Sequence, residues 1–404
     1  MTSARPPTLL AWALYDLANT FFAVAILSFY FPLWLVQDQG VKELAFSASL
    51  GVSMVCVAVI MPVCGAIADA TGQRVRYLWW TTLGCVLLTA AIGCLQTVWL
   101  ALVFFAAANV CYQLGTVFYD ALLRHVGPAD RLGASSGFGA AFGYVGSMVG
   151  LASLWPFVRA GGYHAAFIPS AVLFFLFALP SFMILRDPPA PRSMAWRAVI
   201  RQGFHQLAAT ISHARSYRPV WWFFIACFFS LNAINTILVF MAVYTKRVLG
   251  FSDAELIRFF LVGQGCAVIG ALVGGQVVQR LGAKRTLAFV WGGWLLALSC
   301  AVLTRDVRAW WLIGPVIGFC LGPTWATSRV LLIDLAPPHQ LAEFFGLAGL
   351  LGRASSVIGP ILWGLIVWDP SRYRHALVAL IGLLAIGIWM LQRVPAAAPA
   401  RAQV

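Results

Sequence analysis

Apolar runs of roughly 18 to 28 residues recur along the whole chain, separated by short polar connections. Runs of that length are read as helices crossing a bilayer core about 30 Å thick. Twelve are expected, at 8–36, 44–68, 78–96, 98–122, 134–158, 164–185, 218–245, 253–279, 286–304, 309–333, 341–367 and 374–392. The fold class that follows is an all-α polytopic membrane protein with twelve transmembrane helices. A polar, basic stretch at 186–217, opening with Asp187, Pro188, Pro189 and Pro191, separates six spans from six. The expected domains are an N-terminal six-helix bundle at 1–185, this linker, and a C-terminal six-helix bundle at 218–404 with a short tail. Within the linker, Trp196, Val199, Ile200, Phe204, Leu207 and Ile211 recur mostly at spacings of three and four. That predicts an amphipathic helix on the inner leaflet, with Arg197 and Arg201 toward lipid head groups.

Two of the connections share one pattern. Residues 65–76 read GAIADATGQRVR, with Gly65, Asp69 and Gly72 followed by Arg74 and Arg76. Residues 275–285 read GQVVQRLGAKR, with Gly275, Gln279 and Gly282 followed by Lys284 and Arg285. The copies are 210 residues apart in a chain of 404, as two similar halves require. Each reads as a tight turn at a membrane surface. Gly65 and Gly72 allow close helix approach and positive φ. Asp69 can sit near the positive N-terminus of a neighbouring helix or pair with an arginine. Arg74 and Arg76 hold the loop on the cytoplasmic side.

Composition supports the membrane reading: 61% of residues are hydrophobic and 10% charged. The net charge of +14 raises the question of a nucleic-acid partner, which its distribution answers. Of the 27 Lys and Arg, sixteen fall on the side of the termini and eight on the other; Arg258, Arg329 and Arg353 lie within spans. That is the positive-inside pattern with both termini cytoplasmic, so the charge reports orientation and no nucleic-acid partner is expected. Asp16 interrupts the first apolar run and no small-residue cleavage site follows, so this run is read as an uncleaved span. Nine cysteines are scattered singly within predicted spans, without a CxxC or Cys/His cluster. They read as packing residues, with no metal site.

Polar side chains inside spans carry the candidate chemistry, because a charge facing lipid costs on the order of 2–3 kcal/mol. In the first span Trp12, Asp16 and Asn19 share one helical face. Asp16 reads as a protonatable coupling or substrate group, or as a packing acid satisfied by a neighbour. In the fourth span Asn109, Gln113, Thr116 and Asp120 form a polar stripe that argues for a water-lined cavity, and Arg124 is placed to pair with Asp120. The glycines of the fifth span, Gly137, Gly139, Gly143, Gly146 and Gly150, give close helix packing. Asn232 and Asn235 mark the seventh span, Trp325 and Arg329 the tenth, and Glu343 and Arg353 the eleventh. Polar residues thus gather on spans one, four, seven and ten. Transporters built from repeats place their sites on such equivalent helices near the midplane.

Several segments occur together and in order: WALYDLAN at 12–19, YDALL at 119–123, GAAFGY at 139–144, Ser328 with Arg329, Pro337 with Pro338, EFFG at 343–346, and GRA at 352–354 before Gly359 and Pro360. The set resembles the autophagy-related vacuolar amino-acid effluxer family and its bacterial relatives, a branch of the major facilitator superfamily. The resemblance implies two pseudo-symmetric bundles working by alternating access, with the two glycine loops gating the change. Gln279 replaces the acid of the second loop, which leaves the stronger charged latch in the first half. The family tends to carry an acid near Asn232, so here Asp16 or Asp120 has to carry any proton.

The function expected is secondary transport of a small organic solute, an amino acid by resemblance, with proton coupling, across the inner membrane. No Walker A sequence is present, and no Ser/His/Asp or His-rich grouping points to an enzyme. No cofactor is expected. The partners are a small-molecule substrate, a proton and the bilayer, and the chain is expected as a monomer. The 29 Phe and 17 Trp keep a lipid or amphiphile exporter open, and a non-transporting sensor or scaffold shares the same fold class.

Overall fold

The computed structural model describes residues 6–126, 132–187, 215–304, 306–337 and 341–395, excepting the side chains of 6–7, 66, 69–70, 124–125, 132–137, 341–343 and 370. Among the described residues there is no strand. Twelve helices are long and apolar enough to cross a membrane.

The first, α1, is α-helical at Pro6–Phe22, π-helical at Ala23–Phe29, α-helical again at Tyr30–Leu33 and π-helical at Trp34–Asp38. Then follow α2 (Glu43–Thr71), α3 (Arg74–Ile92), α4 (Val98–Val126), α5 (Leu132–Gly161) and α6 (Phe167–Ile184). The second half holds α7 (Arg218–Leu249), α8 (Asp253–Leu281), α9 (Ala283–Leu303), α10 (Val307–Leu335), α11 (Leu341–Ile366) and α12 (Tyr373–Gln392). Helix ends lie within four residues of the expected spans. One consequence is that Cys94, expected within a span, sits in the turn after α3 and is exposed. The π-helical stretch before Pro32 has a local cause. Proline lacks an N–H, and its ring crowds the carbonyl four residues earlier, so the turn widens.

The chain divides into two compact units, Met1–Gln206 with Val239–Val243, and Leu207–Leu238 with Tyr244–Val404. The amphipathic helix expected in the linker lies outside the described residues.

In the first unit α1 packs against α5 and α6, and α4 against α2 and α3. The glycines of α5 make the first of these contacts. Gly139 faces the ring of Trp12, Gly143 the Asp16 carboxylate, Gly146 the backbone of Leu17 and Gly150 the ring of Phe21. Without side chains in the way, the two backbones come together closely enough for dense dispersion contact. Gly137 falls outside the described side chains. The α2–α4 contact combines a ring pair, Phe46 and Phe105 with centroids 5.0 Å apart, with polar bonds. Ser49 donates to the Leu102 carbonyl at 2.7 Å, and Asn109 donates to the Ser53 hydroxyl at 2.7 Å.

In the second unit the equivalent pair, α8 and α10, is built on glycine. Gly314 lies on the Phe259 ring, Gly318 on the backbone of Gly263, Gly322 on Ala267, and Gly270 on the backbone of Phe319. Two helix pairs at matching places in the chain each carry a ring contact, but hydroxyl and amide bonds reinforce the first and close backbone approach at glycines the second. The end of α12 is anchored by Arg393, whose guanidinium lies 4.1 Å from the Trp389 ring centroid and 5.1 Å from that of Trp222.

Candidate functional site

In the first half α1 and α4 bring the candidate residues together. Trp12 is buried, stacked on Tyr119 with centroids 4.5 Å apart, and its Nε1 donates to the Tyr119 carbonyl at 3.1 Å. Tyr15 also stacks with Tyr119, centroids 5.1 Å apart, and shares a 2.7 Å hydrogen bond with Thr82 of α3. Trp12 therefore joins α1 to α4 and is not exposed as a cavity wall would be. Asn19 and Asn109 are buried as well. Asp16 differs. It is half-buried, its carboxylate lies in the space left by Gly143, and Thr20 donates to its backbone carbonyl at 2.8 Å.

The stripe on α4 resolves into a gradient. Asn109 is fully buried, Gln113 and Thr116 are half-buried, and Asp120 is exposed. The last three and Asp16 are the candidates that stay accessible within spans of mean hydropathy 1.7. The expected pairing of Asp120 with Arg124 involves a side chain outside those described.

In the second half the asparagines of α7 serve two purposes. Asn232 is buried, donates to the Phe228 carbonyl at 2.7 Å and accepts from the Gly359 N–H at 2.9 Å. The accepting bond falls one residue before Pro360, where α11 lacks a backbone donor. Asn232 thus ties α7 to α11 beside the proline inside that helix. Asn235 is half-buried and donates to the hydroxyls of Ser355 (3.3 Å) and Ser356 (3.0 Å) on α11. On α10, Trp325 is half-buried and Arg329 exposed, six residues before the helix ends at Leu335. Arg353 is half-buried, with Nη1 donating to the Gly349 carbonyl at 3.1 Å. Glu343 lies outside the described side chains.

The two glycine loops are shorter than expected. The connection between α2 and α3 is only Gly72 and Gln73, and that between α8 and α9 only Gly282, so Arg74, Arg76, Lys284 and Arg285 lie in helices. Gly72 has the positive φ foreseen for it, +68°, Gly65 does not, and Gly282 of the second loop is at +81°. Gly65 does not make the close approach expected of it. It is helical, and no described atom lies within 4 Å of where a Cβ would stand. The same holds for Gly275. The side chain of Asp69 is outside those described. Asp187, just past α6, accepts from the Val75 N–H at 2.5 Å and so caps α3. Arg76 donates to Gln73 at 3.1 Å. In the second half Lys284 at the start of α9 donates to the Gln392 carbonyl (3.2 Å) and to that of Val394 at the end of α12. Each loop is tied to the end of the sixth helix of its own half, by an acid in one and a base in the other. Neither tie was foreseen, because the partners lie about 110 residues away in sequence.

The family model for "Vacuole effluxer Atg22 like" proteins matches residues 132–403, two thirds of the chain. The chain belongs to this family. A MFS-type transporter of Bacillus subtilis, YxiO, is 25% identical over 95% of this Atg22-like chain and 94% of its own length. The Autophagy-related protein 22 of Yarrowia lipolytica is 24% identical over 71% of this chain and 55% of its own. Among solved structures, a bacterial homologue of the human lysosomal transporter Spinster, inward-facing and unoccupied, superposes with a TM-score of 0.75 at 14% identity, covering 96% of this chain and 97% of that one. The fold is therefore that of the major facilitator transporters.

Several residues of this Atg22-like protein matter more than the sequence reading allowed. Tyr15 and Tyr119 complete the aromatic stack, and Ser355 and Ser356 receive Asn235. Both tyrosines stand inside the segments that carried the resemblance, which was the available signal. Asn232→Ala is expected to destabilise the protein by about 1–3 kcal/mol, since it removes the two hydrogen bonds of a buried amide. Thermal unfolding in detergent measures this. Asn235→Ala, at a half-buried position facing two serines, is expected to cost less.

Proposed function

We propose that this chain is a secondary transporter that moves a small organic solute carrying a carboxylate, an amino acid by class, by alternating access of its two halves. The reading places it in the bacterial inner membrane with both termini in the cytoplasm, and couples transport to protons through Asp16. The observation that carries it is the accessible polar edge of the first half. Asp16, Gln113, Thr116 and Asp120 keep polar groups at a surface within two strongly apolar spans. Accessible polar and ionisable side chains are costly against hydrocarbon, which supports a placement facing water or solute. Asn232 has no proton to exchange and is already engaged at both ends of its amide. The sixteen-to-eight distribution of basic residues supports the orientation.

Arg329, exposed on α10, supplies the cation for the substrate carboxylate. Purified protein screened by thermal unfolding against amino acids, short peptides and organic acids is expected to gain stability with a carboxylate-bearing solute. Arg329→Ala should weaken that apparent affinity by about 10–100-fold, the value of a charge-assisted hydrogen bond. A ligand that binds Arg329→Ala as tightly as wild type removes this residue from the site. Absence of uptake of any such solute by proteoliposomes under a proton gradient overturns the function.

A further inference from the structure

Asn19 of α1 is 6% exposed, and its Oδ1 is buried with no hydrogen-bond partner among the described residues. A buried carbonyl oxygen left in that state is costly, so a donor is called for. Successive helical residues advance about 100° around the axis, which puts Asn19 about 60° from Asp16 on one side and Thr20 about 40° away on the other. The Asn19 side is shared with Trp12 and Tyr15, both of which meet α4 at the ring of Tyr119. The Thr20 side looks to α5. There the Cβ position of Gly143 lies 3.0 Å from Oδ2 of Asp16 and 3.4 Å from Oγ1 of Thr20. Asp16 therefore stands between two places for its carboxyl group: the gap at Gly143, which it occupies here, and the unmet oxygen of Asn19 one turn along the helix.

We infer that Asn19 is a positioning residue for the proton on Asp16, its Oδ1 receiving the O–H of the protonated carboxyl group. This rests on the reading above in which Asp16 carries the coupled proton. The two forms of the acid differ in what they offer a neighbour. A carboxylate has acceptors only, whereas a carboxylic acid gains one O–H donor. The amide oxygen of Asn19 accepts only, so it bonds the acid and has nothing to give the carboxylate. Charged, the group lies in the gap at Gly143; protonated, it turns toward the α1–α4 seam and is held there. The proton comes from water at the half-buried edge of α1, and only O–H bonds are made or broken. A neutral, hydrogen-bonded acid tolerates apolar surroundings far better than a carboxylate does, so the bond fits the step in which the site is closed. On the helices packed against α1, the titratable side chains at this level are Tyr112, Tyr119 and Asp120 of α4 and Tyr144 of α5. The α6 segment Phe167–Ile184 has none. Phenols keep their protons at neutral pH, which leaves exposed Asp120 as the other acid.

The test uses the full chain in proteoliposomes and dicyclohexylcarbodiimide, which reacts with protonated carboxyl groups in apolar surroundings. Peptide mass spectrometry reads the labelling of Asp16 against pH, without substrate or gradient, and Asp16→Asn gives the blank. Asn19→Ala removes the accepting oxygen, and Asn19→Ser returns one at nearly the same size. At about pH 7, labelling is expected to fall at least about fivefold in Asn19→Ala, the value of one hydrogen bond, and less than about twofold in Asn19→Ser. The acid plateau is expected to be the same in wild type and both variants, because a group fully protonated by the medium no longer depends on Asn19. Wild-type labelling of Asn19→Ala, no rescue by serine, a plateau that falls along with the neutral value, or no labelling of wild type overturns the assignment. Gradient-driven uptake that survives Asp16→Asn would end the coupling reading instead, and leaves the labelling result standing.

Discussion

Gly318→Leu is expected to abolish recovery of folded protein. A Cβ at position 318 would stand 2.8 Å from the carbonyl carbon of Gly263 and 2.9 Å from its Cα, closer than such atoms approach. These are backbone atoms of α8, so no side chain can swing aside, and the helices themselves would have to part. Parting them also disturbs the neighbouring contacts of Gly314 and Gly322 in the same row. Even Gly318→Ala should cost about 1–3 kcal/mol, the usual range for overpacking. Gly275→Ala provides the contrast. No described atom lies within 4 Å of its Cβ position, and alanine favours the helix by roughly 1 kcal/mol, so its unfolding temperature should stay or rise. Size-exclusion profiles and thermal unfolding of the three variants in detergent decide the matter. Destabilisation by Gly275→Ala equal to that by Gly318→Ala would refute the backbone-contact argument.

Asp16→Asn should eliminate substrate accumulation driven by a proton gradient while leaving solute exchange between the two sides of a proteoliposome. The reasoning follows from the place of the carboxylate. It is the half-buried acid of α1, held in the gap that Gly143 leaves in α5, and asparagine fills that gap with nearly the same volume. Folding and substrate binding should survive, and only the exchangeable proton is lost. Exchange and gradient-driven uptake measured on the same vesicles separate the two effects. Loss of both together would make Asp16 a binding or packing group, and retention of both would move coupling to Asp120 or elsewhere. Gly143→Ala tests the same point from the neighbouring helix. Its Cβ would stand 3.0 Å from Oδ2 of Asp16, so it should impair transport through the displaced carboxylate.

The twelve spans were legible because a helix in lipid must be apolar around most of its circumference and long enough to cross, conditions that leave a plain trace in composition. The turn glycines Gly72 and Gly282 were legible for a related reason, since the positive φ they adopt favours that residue. Much of the candidate site was not legible. Helical spacing puts Asn109, Gln113, Thr116 and Asp120 on one stripe, but it does not tell how deep a neighbouring helix covers that stripe. Ser53 on α2 takes Asn109 out of the accessible set, while Asp120 stays open. In the same way nothing local announced that Asn232 would be spent on the Gly359 N–H beside the proline of α11. Partners on other helices decide whether an intramembrane polar residue meets solute or protein. Gly65 errs in the opposite sense, for a glycine in a loop-like motif turned out to be an ordinary helical residue with open space beside it.

The widened turns in α1 have an effect on everything beyond them. Each residue of an α-helix advances about 100° around the axis, so one extra residue held in a π turn swings the following side chains by about that angle. Trp12, Asp16 and Asn19 precede Ala23–Phe29, whereas Phe31 and Trp34 come after it. A wheel drawn from Asp16 toward the C-terminal end as one continuous spiral therefore assigns the last third of α1 to the wrong azimuth. Positions on the two sides of that stretch are therefore not related by the 100° spacing alone, and a substitution chosen by counting across it is aimed at the wrong side.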